Sequence, residues 1–196
     1  GKLRDPLNPK IRFGLGAVKG VGASALESIF ESRKEEQTTP SGVQVVKKPF
    51  LDIFDFCSRV DLRRVNKGVL EALVQCGAMD SIHEPMGIGR DRALAATDIA
   101  IEQGKKASAD RDSGQTDLFG ALLGGDDGGG SMRRTTFPET PGWSRHDKLK
   151  REKGTLGFYV SGHPLDAYTE ELKRFCNANS ASLANGADAG TSSRTR

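Results

Sequence analysis

Apolar positions recur at helical spacing through the first hundred residues. Ala25, Leu26, Ile29 and Phe30 fall on one helix face. Phe50, Ile53, Phe54 and Cys57 repeat the pattern at i, i+3, i+4 and i+7. A third stripe, Val69, Leu70, Leu73 and Val74, follows Asn66, a good N-cap, and closes on Gly77, where a C-terminal helix glycine belongs. A fourth begins near Asp91 and carries Ala93, Leu94, Ala96, Ala100 and Ile101. Each pattern predicts a helix. Ahead of the first, Pro6 and Pro9 mark an extended entry, and the stretch IRFGLGAVKGVG from Ile11 to Gly22 alternates apolar residues with glycine. From Glu31 to Lys48 the chain is polar or β-branched and contains Pro40 and Gly42, which predicts a surface loop.

The periodicity stops at Gly104. From there to Gly142 the chain is rich in Gly, Ser, Asp and Thr, with GGDDGGGS at 124–131. Such a stretch buries too little apolar surface to offset its ordering entropy, so a flexible linker is expected. Order is expected to return at Trp143, where Ser144 and Asp147 fit a capping box and Leu149 with Leu156 form a short stripe. Gly154 weakens that helix by about 1 kcal/mol relative to alanine. Ser161–Pro164 is turn chemistry, and Leu165, Tyr168, Leu172 and Phe175 predict a final amphipathic helix. The reading is mainly α: a small helical domain over 1–103, a linker over 104–142, a helical segment over 143–176 and a disordered tail over 177–196.

Composition narrows the classes. With 36% hydrophobic and 6% aromatic residues and 24 glycines, the core is modest for 196 residues. The net charge of +3 leans only weakly toward polyanions. Cys57, Cys76 and Cys176 are odd in number and widely spaced, which predicts buried free thiols in a reducing cytoplasm and not a zinc site or disulfide framework. No apolar stretch approaches the roughly 20 residues of a membrane helix. The first residues carry no signal-peptide pattern, and the start at Gly1 is read as that of a piece of something longer.

Two constellations carry chemistry. In LGAVKGVGASAL, Leu15 to Leu26, two apolar-lined segments meet at Gly20-Val21-Gly22, the form of a helix-hairpin-helix element. The glycines permit a tight turn and leave backbone N–H groups free at the start of the next helix, where the dipole favours a phosphate. Lys19 adds a direct charge. Contacts of this kind grip the nucleic-acid backbone without reading sequence. A plain packing turn is the alternative. Arg63, Arg64 and Lys67 form a candidate second basic edge, or else a solvated helix start. The second constellation is Gln115-Thr116-Asp117-Leu118-Phe119, an apolar pair inside the glycine-rich stretch. Leu118 and Phe119 would fill a partner's pocket, with the Gln115 amide at its rim. Folding back onto the helical domain is the alternative. His83, in a predicted loop, His146 and His163 do not converge in sequence, and no phosphate-binding loop, metalloprotease motif or paired metal-binding acids are present, so no active site is assigned.

Four blocks, IRFGLGAVKGVG, FLDIFDFCSRVDLRRVNKGVLEALVQCGAMDSI, QTDLFG and LGFYVSGHPLDAY, occur in the order seen in the alpha-subunit family of bacterial DNA polymerase III, which residues 10–176 resemble. The resemblance implies a fragment running from the end of the fingers through the tandem helix-hairpin-helix and clamp-binding region. The catalytic palm, with its aspartates and the Mg2+ expected of the intact DNA-directed DNA polymerase, would lie upstream, and this chain would hold no cofactor. Duplex DNA, at Lys19, Gly20, Val21, Gly22, Arg63, Arg64 and Lys67, is one implied partner. A sliding clamp, at Gln115, Asp117, Leu118 and Phe119, is another, together with other replicase subunits and no membrane. An oligonucleotide-binding fold would follow the tail, in a cytoplasmic protein. Gly154-Thr155 and the glycine insert at 124–130 depart from the family pattern and put the packing of the last helices in doubt. A free-standing helix-hairpin-helix repair protein is the competing reading. It would need a catalytic Lys, Asp or metal cluster that the sequence does not place.

Overall fold

A computed structural model describes residues 13–39, 42–112, 136–176 and 178. The chain divides into two units, Gly1–Tyr159 and Val160–Arg196. It is mainly helical, as expected. In the first unit a 3-10 turn at Leu15–Ala17 leads into α1, Ala23–Glu31. An antiparallel hairpin follows, β1 at Lys34–Thr39 and β2 at Gly42–Lys47, with Lys34 opposite Lys47. This corrects the loop expected over 31–48. Val45 and Val46 are exposed, so the strands are made by backbone pairing and leave no burial pattern to read.

Helices α2, Ile53–Arg59, and α3, Lys67–Gln75, form as predicted, and both caps are explicit. Asp52 accepts from the Asp55 amide at 2.7 Å, and Asn66 from the Val69 amide at 3.1 Å. Past α3, Gly77 takes φ +83° while the Ala78 amide donates to Leu73 O and the Gly77 amide to Val74 O, a Schellman closure. A Cβ at Gly77 would also collide with Arg90, 2.1 Å away at Nη2. Short α4, Asp80–His83, follows.

The predicted fourth helix is two: α5, Arg90–Ala95, and α6, Thr97–Asp112. Helix α6 runs eight residues past the point where the linker was expected to start. The reason is tertiary. Gly104 is buried against α2, so close that a Cβ there would lie 2.4 Å from the Cys57 carbonyl oxygen. The glycine that reads as a linker start is a helix-crossing contact. At the other end of the expected linker, Phe137 is buried with its ring edge-on to Phe54 and His83. The stretch between, 113–135, lies outside the described residues.

Helix α7, Arg145–Leu156, starts at the predicted Ser144 cap, whose hydroxyl accepts from the Asp147 amide at 3.1 Å and holds the Asp147 carboxyl below its ordinary range. It runs through Gly154 and belongs to the first unit. Its fully buried Glu152 meets Arg90 at 2.8 Å, and Arg90 also binds Asp80 at 2.6 Å. The core that supports these helices centres on Ile53, Phe54, Val65, Leu70, Leu73 and Val74. In the second unit, a 3-10 turn at Pro164–Tyr168 precedes α8, Thr169–Phe175. The predicted stripe is there, but Leu165, Tyr168, Leu172 and Phe175 are all exposed.

Two of the three cysteines are buried and free, while Cys176 is exposed, against expectation. His83 is buried at the end of α4 and not in a loop. Among the described residues no helix is long and apolar enough to cross a membrane.

Candidate nucleic-acid interface

The first hairpin is shorter than the sequence suggests: a single 3-10 turn stands where the first helix was expected. Val18 and Val21 are buried and peg the loop to the core. The Val21 amide closes on Val18 O at 3.1 Å, and the Lys19 amide donates to Thr155 O at 2.8 Å, tying the loop to the end of α7. Gly20 takes φ +85°, a conformation that glycine adopts without strain. Lys19, Gly20 and Gly22 remain exposed.

Gly22 is the N-cap of α1, with no side-chain hydrogen bond to the first turn. The opening amides of a helix have no intrahelical acceptor, so those of α1 are left for an outside acceptor. A Cβ at Gly22 would meet nothing within 4 Å, and its φ of −81° suits any residue. Among the described residues nothing therefore requires glycine there. Glycine does leave the amide end of α1 open to a bulky group from outside, with Lys19 beside it.

A second hairpin repeats the backbone pattern at Gly87-Ile88-Gly89. Gly87 has φ +69°, and Gly89 caps α5 with φ −76° and ψ 162°, close to −81° and 165° at Gly22. A 3-10 turn, Glu84–Met86, again leads in. The glycine spacing of this hairpin is present in the sequence just ahead of the helix predicted to begin near Asp91, but the apolar pattern does not single it out. Here an acid stands against the helix start. The Asp91 carboxylate lies 2.3 Å from where a Gly89 Cβ would sit, and the Thr140 hydroxyl donates to it. The neighbouring cations are engaged too: Arg90 with Asp80 and Glu152, and Arg92 with Glu139 at 2.8 Å and the Phe137 and Pro138 carbonyls. One hairpin is open to solvent; the other is closed on its own aspartate.

The candidate basic edge separates in the same way. Arg64 binds Glu27 at 2.5 Å and Glu31 at 3.2 Å on α1. Lys67 binds Asp98 at 2.6 Å, a bond that raises its pKa, and approaches Glu71 at 3.8 Å. Both are therefore committed within the chain, although exposed pairs of this kind are weak and a phosphate could compete for them. Arg63 is exposed, and its side chain forms no bond to a described residue. The structure thus leaves Lys19, Gly20, Gly22 and Arg63 available, buries Val21 as a peg in the core, and ties down Arg64 and Lys67. Gln115, Asp117, Leu118 and Phe119 lie outside the described residues. His83 has Nε2 unpartnered among the described residues, and burial lowers its pKa against the opposing charges of Asp52 and Asp80. His146 is exposed, and His163 caps the 3-10 turn of the second unit.

A family profile described as "Helix-hairpin-helix motif" matches residues 3–92, a span that contains both hairpins. A DNA polymerase III subunit alpha from Pseudomonas fluorescens is 39% identical over 177 residues, covering 85% of this chain and 14% of that protein. The protein of the same name from Bacillus subtilis is 38% identical over 165 residues, 84% of this chain and 13% of its own length. That from Vibrio cholerae is 35% identical over 176 residues, 89% of this chain and 14% of its own. The chain thus spans about one seventh of the length of these curated relatives.

Proposed function

Over the matched stretch this chain belongs to the DNA polymerase III alpha-subunit family, and from that premise we propose that it holds duplex DNA through the first hairpin and carries a peptide that docks on a sliding clamp. One observation supports the DNA part above all others. The amide end of α1 is uncapped and uncrowded at Gly22, beside exposed Lys19, whereas in the second hairpin the Asp91 carboxylate crowds Gly89. A backbone phosphate is the ligand that suits converging amides, a helix N-terminus and one lysine.

The second hairpin then serves as the brace. Arg90 and Glu152 lock α7 to α5, and the end of α7 holds the Lys19 amide through Thr155 O. The gripping hairpin is in this way supported by the self-satisfied one. The clamp part rests on sequence: Gln115, Asp117, Leu118 and Phe119 pair an amide with an aliphatic–aromatic couple, suited to an apolar pocket with a polar rim. Joining a modest clamp affinity to a modest DNA affinity raises the effective concentration of each, so that the joint hold exceeds either alone.

Primer extension with deoxynucleoside triphosphates would be the work of the longer assembly. Among the described residues no three His, Cys, Asp or Glu side chains converge to hold a metal ion. Two titrations test the proposal. Fluorescence anisotropy with duplex DNA is expected to show weaker binding for Lys19→Gln and a steep loss with salt, because bound cations release condensed counterions. Binding of the clamp is expected to fall when Leu118 and Phe119 both become alanine, with DNA binding retained. A salt-independent DNA affinity, or clamp binding unchanged in that double variant, would overturn the corresponding half.

A further inference from the structure

The C-terminal ends of α2 and α6 leave an open groove of about 670 Å³, with Arg59, Asp61, Arg63, Lys105, Ser108 and Arg111 in its lining. Four of these are cations. Asp61 is the one acid among the described lining residues, and its carboxylate accepts the Arg63 backbone amide at 2.9 Å. The cations fall into two pairs. Arg59 is fixed by Asp55 at 3.0 Å and by the carbonyls of Pro49, Lys48 and Ser32. Arg111 donates to Ala107 O at 3.2 Å and to Ser58 O in the last turn of α2. That second bond covers the negative end of the α2 dipole, which would otherwise repel an anion. Arg63 and Lys105 are exposed and have no ion pair with a described residue. Arg59 is thus spent within the fold, Arg111 fixes positive charge at the end of α2, and two exposed cations, Arg63 and Lys105, line the groove beside it.

The groove is joined to the first hairpin through α1. The Asp61 amide donates to Ser28 Oγ at 2.8 Å, and Arg64 binds Glu27 and Glu31 on the same helix. Nine residues of helix, Ala23–Glu31, span about 13 Å at 1.5 Å each. The groove and the open helix start thus lie on the same short helix, within reach of one nucleic acid.

We propose that this groove is a second phosphate-binding site, through which Arg63 and Lys105 hold the sugar-phosphate backbone of the same nucleic acid that the hairpin grips. The inference rests on the hairpin reading and adds Lys105 and Arg111 to it. Its test uses the full chain and a fluorescent DNA duplex titrated across a range of salt concentrations. Arg63→Gln with Lys105→Gln removes two exposed cations, and Lys148→Gln with Lys150→Gln, on α7, is the equal-charge control. Loss of two phosphate contacts lowers the salt slope of log K by about 2. We expect that fall in the groove variant, with at least a tenfold loss of affinity, and a clearly smaller change in the control. Equal effects in the two variants would mean that net charge alone is acting and would overturn the site while leaving the hairpin reading intact. Failure of the parent chain to bind duplex would overturn both. Protection of Lys105 from an amine-reactive label on addition of DNA gives a readout independent of folding. An unchanged labelling rate under saturating duplex would also count against the site.

Discussion

Replacing a helix glycine by alanine ordinarily stabilises a helix by about 1 kcal/mol. The two interior helix glycines Gly104 and Gly154 are predicted to respond with opposite sign. At Gly154, in α7, an added Cβ meets nothing within 4 Å, so the full propensity gain of about 1 kcal/mol is expected. At Gly104, in α6, it would lie 2.4 Å from the Cys57 carbonyl oxygen, 2.8 Å from that carbonyl carbon and 3.0 Å from Cys57 Cβ. Two of these atoms are backbone in the middle of α2, and they cannot swing aside. The crossing must open, at an overpacking cost of roughly 1–3 kcal/mol or more. Once the propensity gain is subtracted the net is roughly 0–2 kcal/mol of destabilisation, and the clash with fixed backbone places it at the upper end. Urea unfolding followed by circular dichroism measures both. Each 1 kcal/mol shifts the melting temperature by roughly 2–8 °C in domains of this size range, so the two variants should move apart in opposite directions. Stabilisation of Gly104→Ala equal to that of Gly154→Ala would refute the close crossing. The crossing also sets where Lys105 stands, so a displaced α6 should weaken the groove as well as the fold.

Two further predictions concern titratable groups. Burial lowers the His83 pKa below its ordinary 6.5, so the unfolded chain binds protons that the folded one refuses; stability is complete above 6.5 and falls as pH drops from there toward the folded value. Denaturant titrations at several pH values should show that fall, and His83→Phe should flatten it; an identical slope in the variant would contradict the buried neutral imidazole. Burial, with Asp52 nearby, raises Cys57 to about 12, and Cys76 is raised chiefly by burial, whereas Cys176 is exposed. A thiol reagent at neutral pH should label one cysteine quickly and the other two only on unfolding. Fast labelling of all three in the native state would contradict the core.

Legibility in the sequence followed the range of the interaction. Helix α3 could be read whole, because the Asn66 cap, the Val69–Val74 stripe and Gly77 all act within a dozen residues. The β-hairpin escaped notice because Val45 and Val46 are exposed, so pairing and not burial holds it. The end of α6 was misplaced because Gly104 is explained only by Cys57, far away in the chain. The open hairpin was legible as a glycine pattern. What separates it from its twin was not: Asp91 bending back onto Gly89, and Thr140 reaching it from 49 residues away, are facts of tertiary structure. Likewise Arg64 reads as a free cation until Glu27 and Glu31, 37 and 33 residues earlier, are seen to hold it.

The difference between the two hairpins allows a residue-level measurement. Amide chemical shifts recorded while duplex DNA is added should move most at Gly20, Gly22, Ala23 and Ser24, and little at Gly87 and Gly89, where the Asp91 carboxylate crowds the helix start and repels a phosphate. Shifts of equal size at both hairpins, or none at Gly22 and Ala23 while the DNA binds elsewhere, would contradict the assignment of the open hairpin as the phosphate grip.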